Sequence, residues 1–167
     1  EDCQFGYRDS IFKNEFKDRF LIQEVRLKLS VEKKFNLHYR ALKEEFDKRK
    51  EENITITEVS DAVKRIRQSK LPDISNLGNA GSFFKNPEVD EDQFRFLKNQ
   101  FPGIISYRVE NGKHKLAAGW LIEQTGYRGK RDGEVSCYDK QALVIVNHGK
   151  ATGMEIKEFS ERIQNGV

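Results

Sequence analysis

Long apolar runs are missing from this chain: none approaches the roughly 20 residues that a membrane-spanning helix needs, and no secretory leader is expected. Cysteine is scarce, with only Cys3 and Cys137, far apart in sequence. A disulfide-stapled scaffold and a four-cysteine zinc site are therefore excluded, and a bridge between the two is not expected in a reducing compartment. His38, His114 and His148 are scattered, so no metal site is expected. An excess of one charge is lacking too. Thirty basic residues against 27 acidic leave a net charge of +3, too even to mark a nucleic-acid binder. Repeats and low-complexity tracts are also absent, which leaves a soluble cytosolic protein as the expectation, with a core of ordinary size for 167 residues.

What is present alternates between helical and strand-like patterning. Phe20 to Leu29 sets Val25, Leu27 and Leu29 against Glu24, Arg26 and Lys28, the period of a half-buried strand. Tyr39 to Lys50 carries Tyr39, Leu42 and Phe46 at helical spacing. Thr57 is the expected N-cap of a helix reaching about Ser69, with Val59, Ala62, Val63 and Ile66 as its buried stripe. The basic run Lys64 to Lys70 then reads as that helix's solvated face. Pro72 stops it. Asp90 with Gln93 suggests a capping box for a helix ending at Pro102, and Asn111-Gly112 a hairpin turn between strands near Ile104–Val109 and Lys113–Leu116. Ala117 to Gln124 reads as a helix ending near Gly126, with Trp120 as a core residue. Leu143 to Asn147 reads as an interior strand, and Thr152 with Glu155 as the cap of a last helix whose stripe is Ile156, Phe159 and Ile163. Helices mixed with at least one hairpin give an α+β class, a mixed or antiparallel sheet with packed helices.

Within that order the stretch Gly78 to Pro87, G-N-A-G-S-F-F-K-N-P, stands out. Two glycines and a proline bar an ordinary helix, so Ser82 is presented by a shaped loop, with Phe83 and Phe84 suited to clamp its backbone into a core. Taken alone, the decapeptide reads as a tight turn leading into a strand.

Five blocks in order give it more meaning: F-G-Y-R-D-S-I-F-K at Phe5 to Lys13, S-K-L-P-D at Ser69 to Asp73, the Ser82 decapeptide, K-L-A-A-G-W-L-I-E-Q at Lys115 to Gln124, and K-Q-A-L-V-I-V-N at Lys140 to Asn147. Together they resemble the MurB family of UDP-N-acetylenolpyruvoylglucosamine reductases, in its longer, type I branch. The resemblance implies a flavoenzyme that reduces UDP-N-acetylglucosamine enolpyruvate to UDP-N-acetylmuramate for peptidoglycan, using FAD with NADPH as co-substrate. It implies no nucleic-acid, membrane or obligate protein partner. The family's flavin-binding region before Y-R-D-S and its final catalytic glutamate segment have no counterpart here. The expectation is therefore a fragment, inactive alone, with residues 1–55 from the FAD-binding domain and 56–167 from the substrate-binding domain. The alternative is a stand-alone UDP-sugar binding module without catalysis.

Residue by residue, the resemblance implies that Arg8 grips the carboxylate on which charge accumulates after hydride transfer, and that Ser82 delivers the proton. Lys70 matches a position near that serine; Tyr39, Asn86, Tyr107, Lys115, Arg128 and Gln141 match substrate contacts, with Lys115 and Arg128 suited to a diphosphate and Tyr107 able to donate to it. Each also has a structural reading. Arg8 suits a surface pair with Asp9 or Glu15, Lys70 a cation at a helix C-terminus, and Tyr39 the first core residue of its helix. Gly133-Glu134 and Ser136-Cys137-Tyr138 depart from the family's wording, which concerns local loop shape.

Overall fold

The computed structural model describes residues 2–32, 34–109 and 111–167. Their helices are α1 (Arg40–Phe46), α2 (Ile56–Lys70), α3 (Glu91–Gln100), α4 (Ala118–Gln124) and α5 (Gly153–Gly166). The strands are β1 (Gly78–Ser82), β2 (Glu88–Val89), β3 (Ser106–Arg108), β4 (His114–Leu116), β5 (Arg131–Asp132), β6 (Val135–Cys137) and β7 (Val144–Asn147). They form two antiparallel sheets, ordered β1-β7-β6-β5 and β2-β4-β3. The class is α+β, as the sequence suggests.

Among the described residues the hydrophobic core falls into two clusters. The larger sits under the four-stranded sheet, where Val135, Cys137 and Ile145 meet Ile122 of α4 and Phe159 and Ile163 of α5. Phe159 and Ile163 are essentially without solvent contact, so α5 docks by the stripe that its sequence displays. Thr152 caps α5 in a full capping box with Glu155. The smaller core joins Leu42 and Phe46 of α1 to Ile54 and Ala62, with Phe35, Leu37, Val59 and Ile66 around it. The boundary expected after Thr55 falls inside this second core.

Three expectations shift. The N-cap of α2 is Thr55, not Thr57: its hydroxyl accepts from Glu58 N at 3.2 Å while Glu58 Oε2 accepts from Thr55 N at 2.8 Å. The T-x-x-E spacing that makes this reciprocal pair exists at 55–58 and not at 57–60. Helix α1 ends at Phe46, four residues short of Lys50. The strand expected over Phe20–Leu29 does not form; Leu21, Leu27 and Leu29 are 85%, 76% and 81% exposed. Alternation supplies a face, but a strand also needs a neighbour for its amides, and both sheets among the described residues are built from residue 78 onward.

Candidate functional site

Ser82 owes its position to a bulge. β1 pairs with β7 through Asn79↔Val146 and Ser82↔Val144, so the β1 side carries one more residue between the paired positions than the β7 side. Gly81 takes up the difference at φ +68°, a left-handed conformation that glycine adopts at no steric cost. Asn79 Oδ1 fixes the same turn by accepting from Gly81 N at 2.9 Å. Phe83 N donates to Leu143 O at 2.7 Å and locks the next residue to the strand edge. Phe84 packs on the larger core, whereas Phe83 stays 38% exposed. The serine itself is exposed and lines two adjoining cavities of about 410 and 780 Å³.

The smaller of these brings together four residues that the sequence places far apart: Tyr39, Lys70, Ser82 and Gln141. Tyr39 stands just before α1 and Lys70 closes α2, so packing of α1 on α2 sets their approach. Lys70 Nζ lies 3.4 Å from the Tyr39 hydroxyl and 5.4 Å from its ring centroid. Tyr39 is 56% exposed and faces the cavity instead of filling the core of its helix. Val63 and Ile66, half of the stripe read on α2, line the cavity as well. Its wall therefore combines an apolar floor with the Lys70 ammonium, the Arg67 guanidinium, one phenol, one hydroxyl and one carboxamide, a set that suits a polar ligand carrying negative charge.

Arg8 reaches the same loop from the other side. Its guanidinium donates to Phe84 O at 2.7 Å and to Ser82 O at 3.0 Å, a fork across the two carbonyls that flank Phe83. The surface pairing with Asp9 or Glu15 is not the arrangement found: Asp9 Oδ1 accepts from Ser10 N and from the Asn14 amide. Arg8 sits at φ +53° in a tight Gly6–Asp9 turn closed by two backbone hydrogen bonds, a conformation that is uncommon for a residue with a side chain.

The remaining expected residues occupy the second sheet and the rim. Lys115 of β4 stands directly opposite Tyr107 of β3, so the two share a face; Tyr107 is 59% exposed. Lys115 Nζ is 3.5 Å from Glu88 and 3.8 Å from the Tyr7 ring centroid. Asn86 lines a third cavity of about 470 Å³ with Tyr7, Lys85 and Glu88, and its Oδ1 caps α4 by accepting from Ala118 N at 3.0 Å. On helix α1 the Glu44 carboxylate foremost, and Tyr107 to a lesser degree, hold the Arg40 guanidinium above its usual pKa. Arg128 stands apart. It pairs with Glu123 at 2.9 Å and donates to Asp139 O, and it is not among the residues lining either Ser82 cavity.

Several groups near Ser82 escaped the sequence reading. Arg67, Tyr138 and Lys140 line the larger cavity, and Tyr7 and Glu88 hold Lys115. Arg67 had a legible signal, since it lies three residues before Lys70 and so on the same helical face. Tyr7 had another, being the neighbour of Arg8 in a turn.

A family model described as UDP-N-acetylenolpyruvoylglucosamine reductase, C-terminal domain, matches residues 73–167. The chain belongs to this family. Among its relatives, the UDP-N-acetylenolpyruvoylglucosamine reductase of Pseudomonas aeruginosa is 47% identical over 99% of this chain and 48% of its own length. That of Flavobacterium johnsoniae is 47% identical over 99% of this chain and 50% of its own, and that of Chromobacterium violaceum 46% identical over 99% and 49%. The chain thus spans about half the length of the curated relatives that it matches. Among the described residues, no helix is long and apolar enough to cross a membrane.

Proposed function

We propose that this chain supplies the substrate-binding half of a cytoplasmic flavoenzyme that reduces UDP-N-acetylglucosamine enolpyruvate to UDP-N-acetylmuramate. The observation that carries this reading is the exposed Ser82 on the cavity that also gathers Tyr39, Lys70 and Gln141. In the same proposal, residues 1–55 close an FAD-binding domain and 56–167 form most of the substrate-binding one, the two meeting across the core of Leu42, Phe46, Ile54 and Ala62.

The chemistry asks this chain for three things. Reduced FAD, when bound, supplies a hydride to the terminal alkene carbon, and NADPH is the source of its electrons. The neighbouring carbon of the substrate is then electron-rich, conjugated with a carboxylate, and must take a proton. Ser82 provides it from a hydroxyl held by the Gly81 bulge. Its weak acidity is offset by fixed placement, by the strong basicity of the acceptor and by the Lys70 ammonium lining the same cavity. Arg8 steadies the carboxylate; with its guanidinium forked onto Ser82 O and Phe84 O, it also holds the proton donor's backbone still. Tyr39, Asn86, Tyr107, Lys115, Arg128 and Gln141 bind the UDP-sugar, Lys115 and Arg128 serving the diphosphate. The donor set around Ser82 is one of hydroxyl, amide, ammonium and guanidinium groups, which fits a substrate approaching a flavin held elsewhere, and we assign no residue of this chain to hold FAD.

Transient kinetics of a full-length reductase containing this chain test the proposal. Ser82→Ala leaves flavin reduction by NADPH near normal and slows reoxidation by the enolpyruvyl substrate by several orders of magnitude. Equal loss in both half-reactions overturns the role of Ser82.

A further inference from the structure

Lys115 is restrained in an unusual way for a lysine. Its side chain is only 17% exposed, and its ammonium lies 3.8 Å from the Tyr7 ring centroid, while the Glu88 carboxylate beside it is a loose 3.5 Å away. The same ring also draws Lys85, at 6.0 Å. Two ammonium groups repel each other, and the negative face of the phenol offsets part of that repulsion alongside the Glu88 carboxylate.

A ring face differs from a carboxylate as a partner. It fixes an ammonium in place without cancelling its charge. An ion pair at full contact competes with an incoming phosphate; a cation over a ring remains available to it, with side-chain freedom already lost before binding. The ring is itself aimed by the Gly6–Asp9 turn, whose Arg8 is anchored to Ser82 O and Phe84 O. Asp9, the other carboxylate of the Tyr7 cavity, turns one oxygen to Ser10 N and the Asn14 amide.

We propose that Tyr7 is a positioning residue that pre-sets the Lys115 ammonium, with Lys85 beside it, for the diphosphate of the nucleotide-sugar. The inference rests on the reading of Lys115 as a diphosphate contact. The tyrosine acts through its ring face, and its hydroxyl has no part in the effect.

The test is titration of the 167-residue chain with UDP by calorimetry, alongside the NMR position of the Lys115 Hε protons. Those protons are shifted upfield by the Tyr7 ring. Tyr7→Leu moves them to the position of a solvated lysine and weakens UDP binding roughly three- to tenfold; Tyr7→Phe preserves both. Unchanged UDP affinity in Tyr7→Leu overturns the proposal, as does a loss in Tyr7→Phe equal to that in Tyr7→Leu, which would assign the hydroxyl to the ligand directly. Lys115→Gln separates the two levels. If it leaves UDP affinity intact, or if the unaltered chain binds no UDP, the reading of Lys115 falls and the inference with it. If Lys115→Gln weakens binding and Tyr7→Leu does not, only the positioning role falls.

Discussion

Arg8 and Ser82, 74 positions apart in sequence, are joined through the backbone: the Arg8 guanidinium donates to the Ser82 carbonyl at 3.0 Å while its second nitrogen reaches Phe84 O at 2.7 Å. The two residues singled out for the chemistry are thus one mechanical unit. The fork spans the segment that precedes α1 and the bulged end of β1, so it is a long-range tie as well as a local one.

Replacing Arg8 by lysine keeps the charge and loses the fork. One donor group on a flexible stem cannot serve both carbonyls. Arg8→Lys therefore destabilises the chain by about 1 kcal/mol, lowering the melting temperature by roughly 2–4 °C for a domain of this size. Differential scanning calorimetry reads the change. Amide exchange should quicken at Phe83, whose N–H bonds to Leu143 O at 2.7 Å beside the fork.

Acid should loosen the α1–α2 unit through Glu58. The Arg49 guanidinium first, then the Thr55 amide and hydroxyl, hold its carboxyl down at about 2, from an ordinary 4.5. With the folded value below the unfolded one, its contribution is complete above pH 4.5 and is lost as pH falls towards 2. Glu58→Gln removes that contribution and flattens the acid limb over this window. Urea unfolding midpoints from pH 2.5 to 7, compared between the two chains, check it; parallel curves contradict the assignment.

The two thiols should behave oppositely towards a disulfide reagent. Burial foremost pushes the Cys137 thiol up to about 11, and its Sγ donates to Ala142 O at 3.1 Å inside the larger core. Cys3 is only half-buried. One thiol therefore titrates in the native chain and two after denaturation, with Cys3→Ser abolishing the native reaction.

Which features the sequence revealed follows from the range of the interactions involved. The cap of α5 was legible because a capping box is written within four consecutive residues, Thr152 to Glu155. The cap of α2 was equally written, at Thr55 and Glu58, and was misread by two residues because a threonine was weighed without its glutamate partner. Phe20–Leu29 has the alternation of a strand and no ladder, since alternation says which face is apolar and nothing about what lies alongside. The same limit hid two-residue strands such as β2 and β5, which exist only through their neighbours. At the site, Tyr39, Lys70, Ser82 and Gln141 were each named from local wording, but their meeting on one cavity depends on α1 packing against α2 and on the register of β1 with β7. Arg67 and Tyr7 were missed although each stands beside a named residue, Lys70 and Arg8, because neither spacing nor adjacency carries its role until that packing is known.

The bulge at Gly81 has a consequence for which amino acids the position will accept. A Cβ built there meets nothing within 4 Å, so the first carbon of a side chain has room, yet φ is +68°. The permitted alphabet is then ranked by handedness alone: asparagine and aspartate first, alanine behind them, valine, isoleucine and threonine last. A saturation library scored for folding should place arginine near alanine at this site, a ranking that no measure of side-chain volume reproduces.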